Sequence, residues 1–294
     1  MYQPRDLERI CKNIADNVGD EFSKIGIFFR IFHRVKINSS IQSKIQKKGE
    51  HYYDKKNKFI SDIIGIRIIL YFSDDLDIVY NWLKNFFKLV EETVDKNEET
   101  RFAPTRINLV LKLPDNFTKE FKNVVKDDMI SATFEVQLRT ILSEGWHEID
   151  HDLRYKCSDD WKNNSDLARS FNGILASLET SEYSILRLFE QLSYRHYKSN
   201  DLDAMLRTKF RIRFLNSRVS PSVLDKLDES IVKEIFKLDR IEILKFLLQK
   251  NIIVPLTMEN WIYIINYFFI KNDSLINNMP KELIDELSSN VYGG

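Results

Sequence analysis

The segment Thr133–Thr140 constrains the fold more than any other part of the chain, because its side chains alternate in polarity. The apolar residues are Phe134, Val136 and Leu138, and the polar ones between them are Glu135, Gln137 and Arg139. A period of two predicts a β-strand with the apolar side chains in the core and the polar ones together on the opposite face. A carboxylate, an amide and a guanidinium in a row can bind a metal, a base edge and a phosphate. The alternative is a strand whose polar face only meets solvent.

Further segments predict partners for this strand. Ile60–Phe72 is rich in β-branched residues and predicts a buried central strand, and Arg106–Leu113 alternates and predicts a half-buried one. An extended stretch is predicted at His33–Ile37. Apolar spacing predicts helices at 5–32, Ser40–Lys48, Leu76–Val90, Ile141–Tyr155 and Ser165–Tyr197. The predicted fold class is therefore α+β, with a mixed β-sheet and flanking helices.

The pattern changes near residue 201 to short helices, with Ser220 and Pro221 forming an N-cap and first-turn pair. We predict two domains, 1–200 with the mixed sheet and 201–294 with helices only. The 294 residues are enough to bury a sizeable core in the first domain and to leave a smaller second one.

The composition argues against several classes of function. The 44 Lys and Arg balance the 44 Asp and Glu, so the net charge gives no case for DNA binding. The sequence contains no apolar run of about 18 residues and no N-terminal signal pattern, which predicts a cytoplasmic protein without a membrane span. Cys11 and Cys157 fit no metal or redox spacing and are expected to be reduced thiols.

Positive charge is concentrated locally, since residues 30–58 hold nine Lys and Arg against two acids. Arg34 and Lys36 point the same way on an extended segment, and Ser40 and Lys44 lie one helical turn apart. A helix that begins between the two pairs adds its N-terminal dipole, which suits a polyphosphate. The alternative is a solvated basic face.

Asp62 stands at the start of an apolar strand, where a carboxylate needs a partner such as a metal or a position at an edge. Arg67 has the opposite parity in a regular strand, so a bulge near Gly65 would be needed for both to reach one site. The alternative for Arg67 is a structural salt bridge.

His147-Glu-Ile-Asp-His151 matches the zinc-hydrolase pattern H-E-x-x-H, in which two helical histidines bind zinc and the glutamate acts as a base. A further ligand would have to come from a distant residue. A zinc hydrolase is therefore one alternative function. On the same helix, His151, Arg154 and Tyr155 are predicted to face one way and to border a site.

Four motifs, in this order, resemble the synthetase domain of RelA/SpoT alarmone synthetases over roughly residues 25–160. They are Arg34-x-Lys36-x3-Ser40-x3-Lys44, Asp62-Ile-Ile-Gly65-Ile-Arg67, Glu135-Val-Gln-Leu-Arg-Thr140 and Trp146-x4-His151-x3-Tyr155-Lys156. The resemblance implies a nucleotidyltransferase-like synthetase domain of the kind found in small alarmone synthetases.

The resemblance also implies a reaction, which is the magnesium-dependent transfer of the β,γ-pyrophosphate of ATP to a 3′-hydroxyl, usually that of GDP or GTP. By similarity, Arg34 would stack on the adenine, and Lys36, Ser40 and Lys44 would bind the donor phosphates. Asp62 and Glu135 would be catalytic and bind magnesium, with Arg67 in support. The acceptor side would comprise Asn108, Gln137, Arg139, His151, Tyr155 and Lys156.

One motif of the family is missing. The usual Gly-Tyr-x-Ser-x-His stretch, whose tyrosine stacks on the acceptor guanine, corresponds here to Ala103-Pro-Thr-Arg-Ile-Asn108. Phe102, Tyr52 or Tyr53 are candidate substitutes. The acceptor therefore stays open among a guanosine nucleotide, an adenosine nucleotide and the 3′ end of tRNA, and the chain can be a housekeeping synthetase or a growth-inhibiting toxin.

The sequence leaves no room for the hydrolase domain of the long family members. Residues 201–294 are predicted to be a regulatory or interaction domain, with an antitoxin or a trigger protein as partner, and the alternative is a helical cap. A catalytically silent nucleotide- or RNA-binding module of the same fold is the other alternative function. Retention of both Asp62 and Glu135 argues against it.

Overall fold

The computed structural model describes residues 4–48, 53, 59–94, 107–250 and 252–289. The chain divides into two compact units. Unit 1 comprises Met1–Gly19 and Phe29–Thr180, and unit 2 comprises Asp20–Phe28 and Ser181–Gly294. The predicted functional division at residue 200 stays a prediction.

Unit 1 contains a five-stranded mixed sheet. Its strands are β1 (Phe29–Val35), β2 (Ile64–Leu70), β3 (Leu89–Val94), β4 (Ile107–Lys112) and β5 (Thr133–Thr140), in the spatial order β1-β2-β5-β4-β3. β2 and β5 pair in parallel, and the other neighbours are antiparallel. The predicted fold class, a mixed sheet with flanking helices, is confirmed.

Helices connect and cover the strands. They are α1 (Pro4–Lys24), α2 (Asn38–Lys48), α3 (Asp75–Phe86), α4 (Asp115–Val124), α5 (Ile141–Ile149), a π-helix (Asp150–Tyr155), α6 (Ser158–Trp161) and α7 (Ser165–Lys198). Val79 and Leu83 of α3 are fully buried, and just after α3 the ring of Phe87 meets Phe134 edge-on at 5.1 Å. The apolar face of β5 therefore lies in the core of unit 1.

The predicted helix at 5–32 is too long, because α1 ends at Lys24 and β1 begins at Phe29. The strand forms because Phe29–Val35 pairs with Ile64–Leu70 along its whole length. An edge strand of this kind is stabilised by tertiary hydrogen bonds, which outweigh the helical spacing of its apolar residues.

Two other predicted elements also need correction. The predicted helix Leu76–Val90 ends at Phe86, since Leu89–Val94 pairs with β4 as an edge strand. The predicted strand Ile60–Phe72 is shorter, and only Ile64–Leu70 lies in the sheet. Outside the sheet, Ile60 forms an isolated bridge with Ile130.

Unit 2 is helical in the residues that the structure describes. Its remaining helices are α8 (Leu202–Phe210), α9 (Pro221–Leu224), α10 (Glu229–Lys237), α11 (Arg240–Gln249), α12 (Met258–Ile265), a π-helix (Asn266–Ile270), α13 (Asp273–Ile276) and α14 (Lys281–Ser289). As predicted, Ser220 precedes the first residue of α9, Pro221. Trp261 is fully buried against Phe210 at a ring distance of 5.1 Å. In the described part of the chain, no helix is long and apolar enough to span a membrane.

Gly26 in unit 2 has a φ of 72°, and a Cβ there would lie 2.3 Å from Leu256 Cδ2. We expect Gly26→Ala to lower the free energy of unfolding by about 1–3 kcal/mol, through left-handed backbone strain and crowding of Leu256. Gly173 in α7 is the matched control, since nothing lies within 4 Å of its Cβ position, and Gly173→Ala should raise stability by about 0.5–1 kcal/mol. Urea unfolding of both variants measures the difference, and equal effects would contradict the prediction.

Candidate active site

The polar side chains of four strands share one face of the sheet. Glu135 pairs with Gly65 across β5 and β2, and Gln137 pairs with Arg67. Gly65 pairs in turn with Arg34 of β1. On the other side of β5, Asn108 of β4 pairs with Gln137. Directly paired residues point to the same face, so the predicted polar face of β5 continues across the sheet.

Asp62 and Arg67 both line this face, although a bulge near Gly65 was expected to be necessary. Asp62 precedes β2, which begins at Ile64, so strand alternation does not apply to it. Its Oδ2 accepts a hydrogen bond from Lys36 Nζ, and the Lys36 backbone N–H donates to Ile63 O at 2.8 Å. The end of β1 and the entry to β2 thus bring a cation and a carboxylate together.

The larger of two cavities on this face has a volume of about 530 Å³. Its charged lining combines the cations Arg30, Arg34, Lys36 and Arg67 with the carboxylates Asp62, Glu135, Glu144 and Glu148. The volume lies within the roughly 300–1,000 Å³ that is typical of ligand pockets. Cations for a polyphosphate and acids for a metal or a proton therefore line one cavity.

The smaller cavity has a volume of about 200 Å³ and lies beyond Arg67. Its own lining residues are Asn108, Arg139, His147, Asp150, His151 and Tyr155. Arg139 is 7% exposed, and its guanidinium donates to Asn108 Oδ1 at 3.2 Å and to Leu138 O at 2.7 Å. A buried, oriented cation therefore lies in this cavity.

Five residues line both cavities, namely Arg34, Arg67, Gln137, Glu144 and Glu148. Arg67 is central to this set. Its Nη1 donates to Glu144 Oε1 at 2.7 Å and to Glu148 Oε1, and its Nε donates to Gln137 Oε1 at 3.3 Å. Gln137 Nε2 lies 3.4 Å from Glu135 Oε2. A chain of polar contacts thus runs between the cavities to Glu135.

The predicted helix Ile141–Tyr155 changes to a π-helix at Asp150, where Lys156 N–H donates to His151 O. The rings of His151 and Tyr155 are nearly parallel, at 15° and 6.1 Å between centroids, and both line the smaller cavity. Arg154 was predicted to face the same way, and this is wrong. Its guanidinium lies 5.4 Å from the Trp146 ring and donates to Asn172 Oδ1 at 2.7 Å. A π-helix has more residues per turn than an α-helix, so Arg154 points in a different direction from His151 and Tyr155.

Two predicted site residues whose side chains are described lie outside the lining of both cavities. Ser40 is exposed in the first turn of α2, and its backbone N–H donates to Ile37 O at 3.1 Å. Lys156 is exposed and bonds Asp152 Oδ1 at 2.7 Å. The side chain of Lys44, and all of Tyr52 and Phe102, lie outside the described residues. Tyr53 is described and buried, with 4% exposure.

Several lining residues were missed by sequence reasoning. Glu144 and Glu148 lie one turn apart on α5, directly after the catalytic-strand candidate, so the helical spacing of two acids was the available signal. His147 was considered only as a zinc ligand, yet it is buried and lines the smaller cavity. Among the described residues, no group of three or more His, Cys, Asp or Glu could hold a metal ion.

Comparison with known proteins identifies the region that carries this site. The family model for a region found in RelA/SpoT proteins matches residues 33–160 and confirms the resemblance. GTP pyrophosphokinase YwaC of Bacillus subtilis (strain 168) is 28% identical over 166 residues, covering 51% of this chain and 74% of the relative. GTP pyrophosphokinase YjbM of the same organism is 29% identical over 127 residues, covering 42% and 56%.

Solved structures are also similar. Small alarmone synthetase 1 from Bacillus subtilis, bound to its product pppGpp, has 18% identity and a TM-score of 0.47, covering 62% of this chain and 92% of that chain. A GTP pyrophosphokinase family protein from Streptococcus pneumoniae has 18% identity and a TM-score of 0.47, covering 62% and 89%.

Cys11 of α1 contacts the backbone of β1 and β2, with Sγ 3.6 Å from Arg34 O and 3.7 Å from Gly65 O. Burial raises the pKa of its thiol to about 12, so the thiolate needed for alkylation is scarce at neutral pH. We expect iodoacetamide at pH 8 to modify the partly exposed Cys157 and to leave Cys11 unmodified until the chain is unfolded. Peptide mass mapping measures both sites, and rapid labelling of native Cys11 would contradict the prediction.

Proposed function

We propose that this chain, whose residues 33–160 form a RelA/SpoT region, is a magnesium-dependent pyrophosphokinase that transfers the β,γ-pyrophosphate of ATP to the 3′-hydroxyl of a nucleotide or of a tRNA 3′ end. The observation that carries the proposal is the larger cavity, where Arg34 and Lys36 face Asp62 and Glu135. Both curated relatives described above are GTP pyrophosphokinases, which supports the same class of reaction.

The larger cavity is the proposed donor site. Transfer of a phosphoryl-type group requires charge neutralisation and in-line positioning more than covalent catalysis. Lys36 supplies positive charge for the triphosphate of ATP, and the Arg34 guanidinium is proposed to stack on the adenine. Ser40 and Lys44 of α2 are proposed as further ligands of the ATP phosphates.

Glu135 is the proposed base. The acceptor oxygen attacks the β-phosphorus, its proton passes to the Glu135 carboxylate, and the bond between the β-phosphorus and the α,β-bridging oxygen breaks to release AMP. Gln137 lies beside Glu135 and bonds Arg67, which favours a fixed orientation of this carboxylate. A positioned general base contributes a factor of about 10²–10⁴ to the rate.

Asp62 and Glu135 fit a magnesium ion, because two carboxylates line the cavity proposed for the triphosphate. Protein sites for Mg²⁺ at phosphates commonly supply one or two carboxylates, and the substrate supplies the other oxygens. When bound, the ion would neutralise charge on the transferring group.

The smaller cavity is the proposed acceptor site. Arg139 and Asn108 form its interior, and the rings of His151 and Tyr155 line it as well. These rings supply the aromatic surface that the missing family tyrosine would have provided. Aromatic rings stack on guanine and adenine alike. The proposed acceptor is therefore a guanosine nucleotide, an adenosine nucleotide or the 3′ end of a tRNA. Lys156 is proposed to contact the larger of these acceptors.

Residues 201–294 are proposed to regulate the synthetase or to bind an antitoxin or trigger protein, and a growth-inhibiting toxin is the cellular role consistent with such control. The two free cysteines agree with a cytoplasmic location. A catalytically silent nucleotide-binding module is the second candidate function, favoured only by the missing family motif at 103–108.

The acceptor assay tests the proposal directly. The full chain is incubated with labelled ATP, magnesium and one acceptor at a time, namely GDP, GTP, AMP, ATP or bulk tRNA, and the products are separated. We expect AMP and a pyrophosphorylated acceptor in at least one reaction. Tight ATP binding without release of AMP in the presence of any acceptor would leave the silent module as the better description.

Glu135→Gln tests the proposed base and metal ligand together, because it keeps the shape of the side chain and removes its charge. We expect AMP release to fall by about 10²–10⁴-fold. The control is Glu120→Gln, which breaks an Arg9–Glu120 ion pair of 2.6 Å that lies outside both cavities and should leave the rate unchanged. Full activity in Glu135→Gln would refute the assignment.

A further inference from the structure

A third cavity, of about 440 Å³, lies within unit 2 and shares no lining residue with the two cavities of the candidate active site. Its lining comes from the end of α7, the start of α8, the end of α9 and the first turn of α10. The volume falls in the range of roughly 300–1,000 Å³ that is typical of small-molecule sites. The proposed pyrophosphokinase reaction does not use this cavity.

Part of the lining is apolar and comes from three helices. Met205 of α8 is fully buried, and Leu202 lies one turn before it on the same helix. Val232 of α10 and Leu224 of α9 also line the cavity. Leu224 is 39% exposed, so a large apolar side chain is open to solvent there. A ligand with an apolar group would remove this surface from water, which is favourable.

The walls of the cavity are fixed by contacts that need no ligand. After α7, Asn200 has a left-handed φ of 56°, and the Asp201 backbone N–H donates to His196 O at 3.0 Å. The Asp201 side chain then caps α8. The Tyr197 ring stacks on Phe236, with 4.6 Å between centroids and 10° between planes. The cavity is therefore formed in advance, as small-molecule sites usually are.

Two basic and two acidic side chains line the cavity. Asp201 Oδ2 lies 3.8 Å from His196 Nδ1, and its Oδ1 accepts the capping hydrogen bond of α8. Lys198 and Glu229 differ from this pair. Both are exposed, and neither side chain forms an ion pair or a hydrogen bond with any residue that the structure describes. An ammonium and a carboxylate are therefore available to a ligand that carries both opposite charges.

We propose that this cavity binds a free α-amino acid with an apolar side chain. Lys198 meets the carboxylate of the ligand, Glu229 meets its ammonium group, and the apolar side chain packs on Met205 and Leu202. A polyphosphate would place negative charges beside Asp201 and Glu229, which is unfavourable. An uncharged apolar molecule would leave Lys198 and Glu229 without partners. The inference concerns unit 2 alone and goes beyond the proposed pyrophosphokinase reaction.

Isothermal titration calorimetry of the full chain tests the proposal with L-valine, L-leucine, L-isoleucine, L-methionine and L-phenylalanine, and with glycine as the control ligand. We expect saturable binding of at least one apolar amino acid below about 10 mM. Glycine carries both charges without a side chain, so it should bind at least about tenfold more weakly. No saturable binding of any apolar amino acid, or equally tight binding of glycine, would overturn the proposal.

Variants that remove one charge each assign the two ends of the ligand. Lys198→Met and Glu229→Gln keep the side-chain length at exposed positions, so both variants are expected to fold. Each should weaken binding by about tenfold, since a charged hydrogen bond to the ligand is lost. The matched controls are Lys233→Met and Glu234→Gln, which remove exposed charges of α10 outside the cavity lining and should bind as the wild type does.

Derivatives of the tightest amino acid complete the test. Its amide lacks the carboxylate, and its N-acetyl form lacks the ammonium group. The wild type should bind each derivative about tenfold more weakly than the amino acid, whereas Lys198→Met should bind the acid and the amide equally, and Glu229→Gln the free and acetylated forms equally. Wild-type affinity in both variants would overturn the assignment. These measurements contain no ATP, so their failure is distinct from a failure to release AMP in the acceptor assay.

Discussion

The parallel pairing of β2 with β5 is the constraint on which the rest of the site depends. It places Gly65 beside Glu135 and Arg67 beside Gln137. Because side chains alternate with a period of two, a slip of one residue would turn Glu135 and Gln137 into the core and expose Phe134 and Val136. The apolar face of β5 is fully buried, so the cost of such a slip is the burial of charge and the loss of core contacts. The polar face that carries the candidate site is therefore specified by the hydrophobic core on the opposite face.

The same constraint explains which elements could be predicted from the sequence. β5 was predicted with its observed bounds, because apolar and polar residues alternate along it and a threonine stands at each end. β3 was missed, since five of its six residues are exposed and its pairing with β4 supplies the stabilisation. Residues 29–32 were predicted as helix for a similar reason. Edge strands depend on partners that are distant in the sequence, and local spacing carries little information about them.

The site residues also differ in whether a local sequence pattern predicts them. Glu135, Gln137 and Arg139 were identifiable from alternation, whereas the contacts of Glu144 and Glu148 with Arg67 depend on how α5 lies against β2. The direction of Arg154 depends on a π turn at Asp150–Tyr155 that no pattern in the sequence indicated. A single inserted residue in a helix changes which side chains share a face. Prediction of a site from helical spacing therefore fails where the helix itself changes its period.

Charge in the larger cavity is paired before any substrate binds. Lys36 bonds Asp62, and Arg67 bonds Glu144 and Glu148. The carboxylates of Asp62 and Glu144 are largely buried, with side-chain exposures of 15% each. In the proposed reaction, a phosphate oxygen of ATP would compete with Asp62 for the ammonium of Lys36. Arg67 is held by two acids of α5 and by Gln137 of β5. The acids of α5 thus reach the same face of the sheet as the polar side chains of β5, although no alternation in the strand sequence specifies their place.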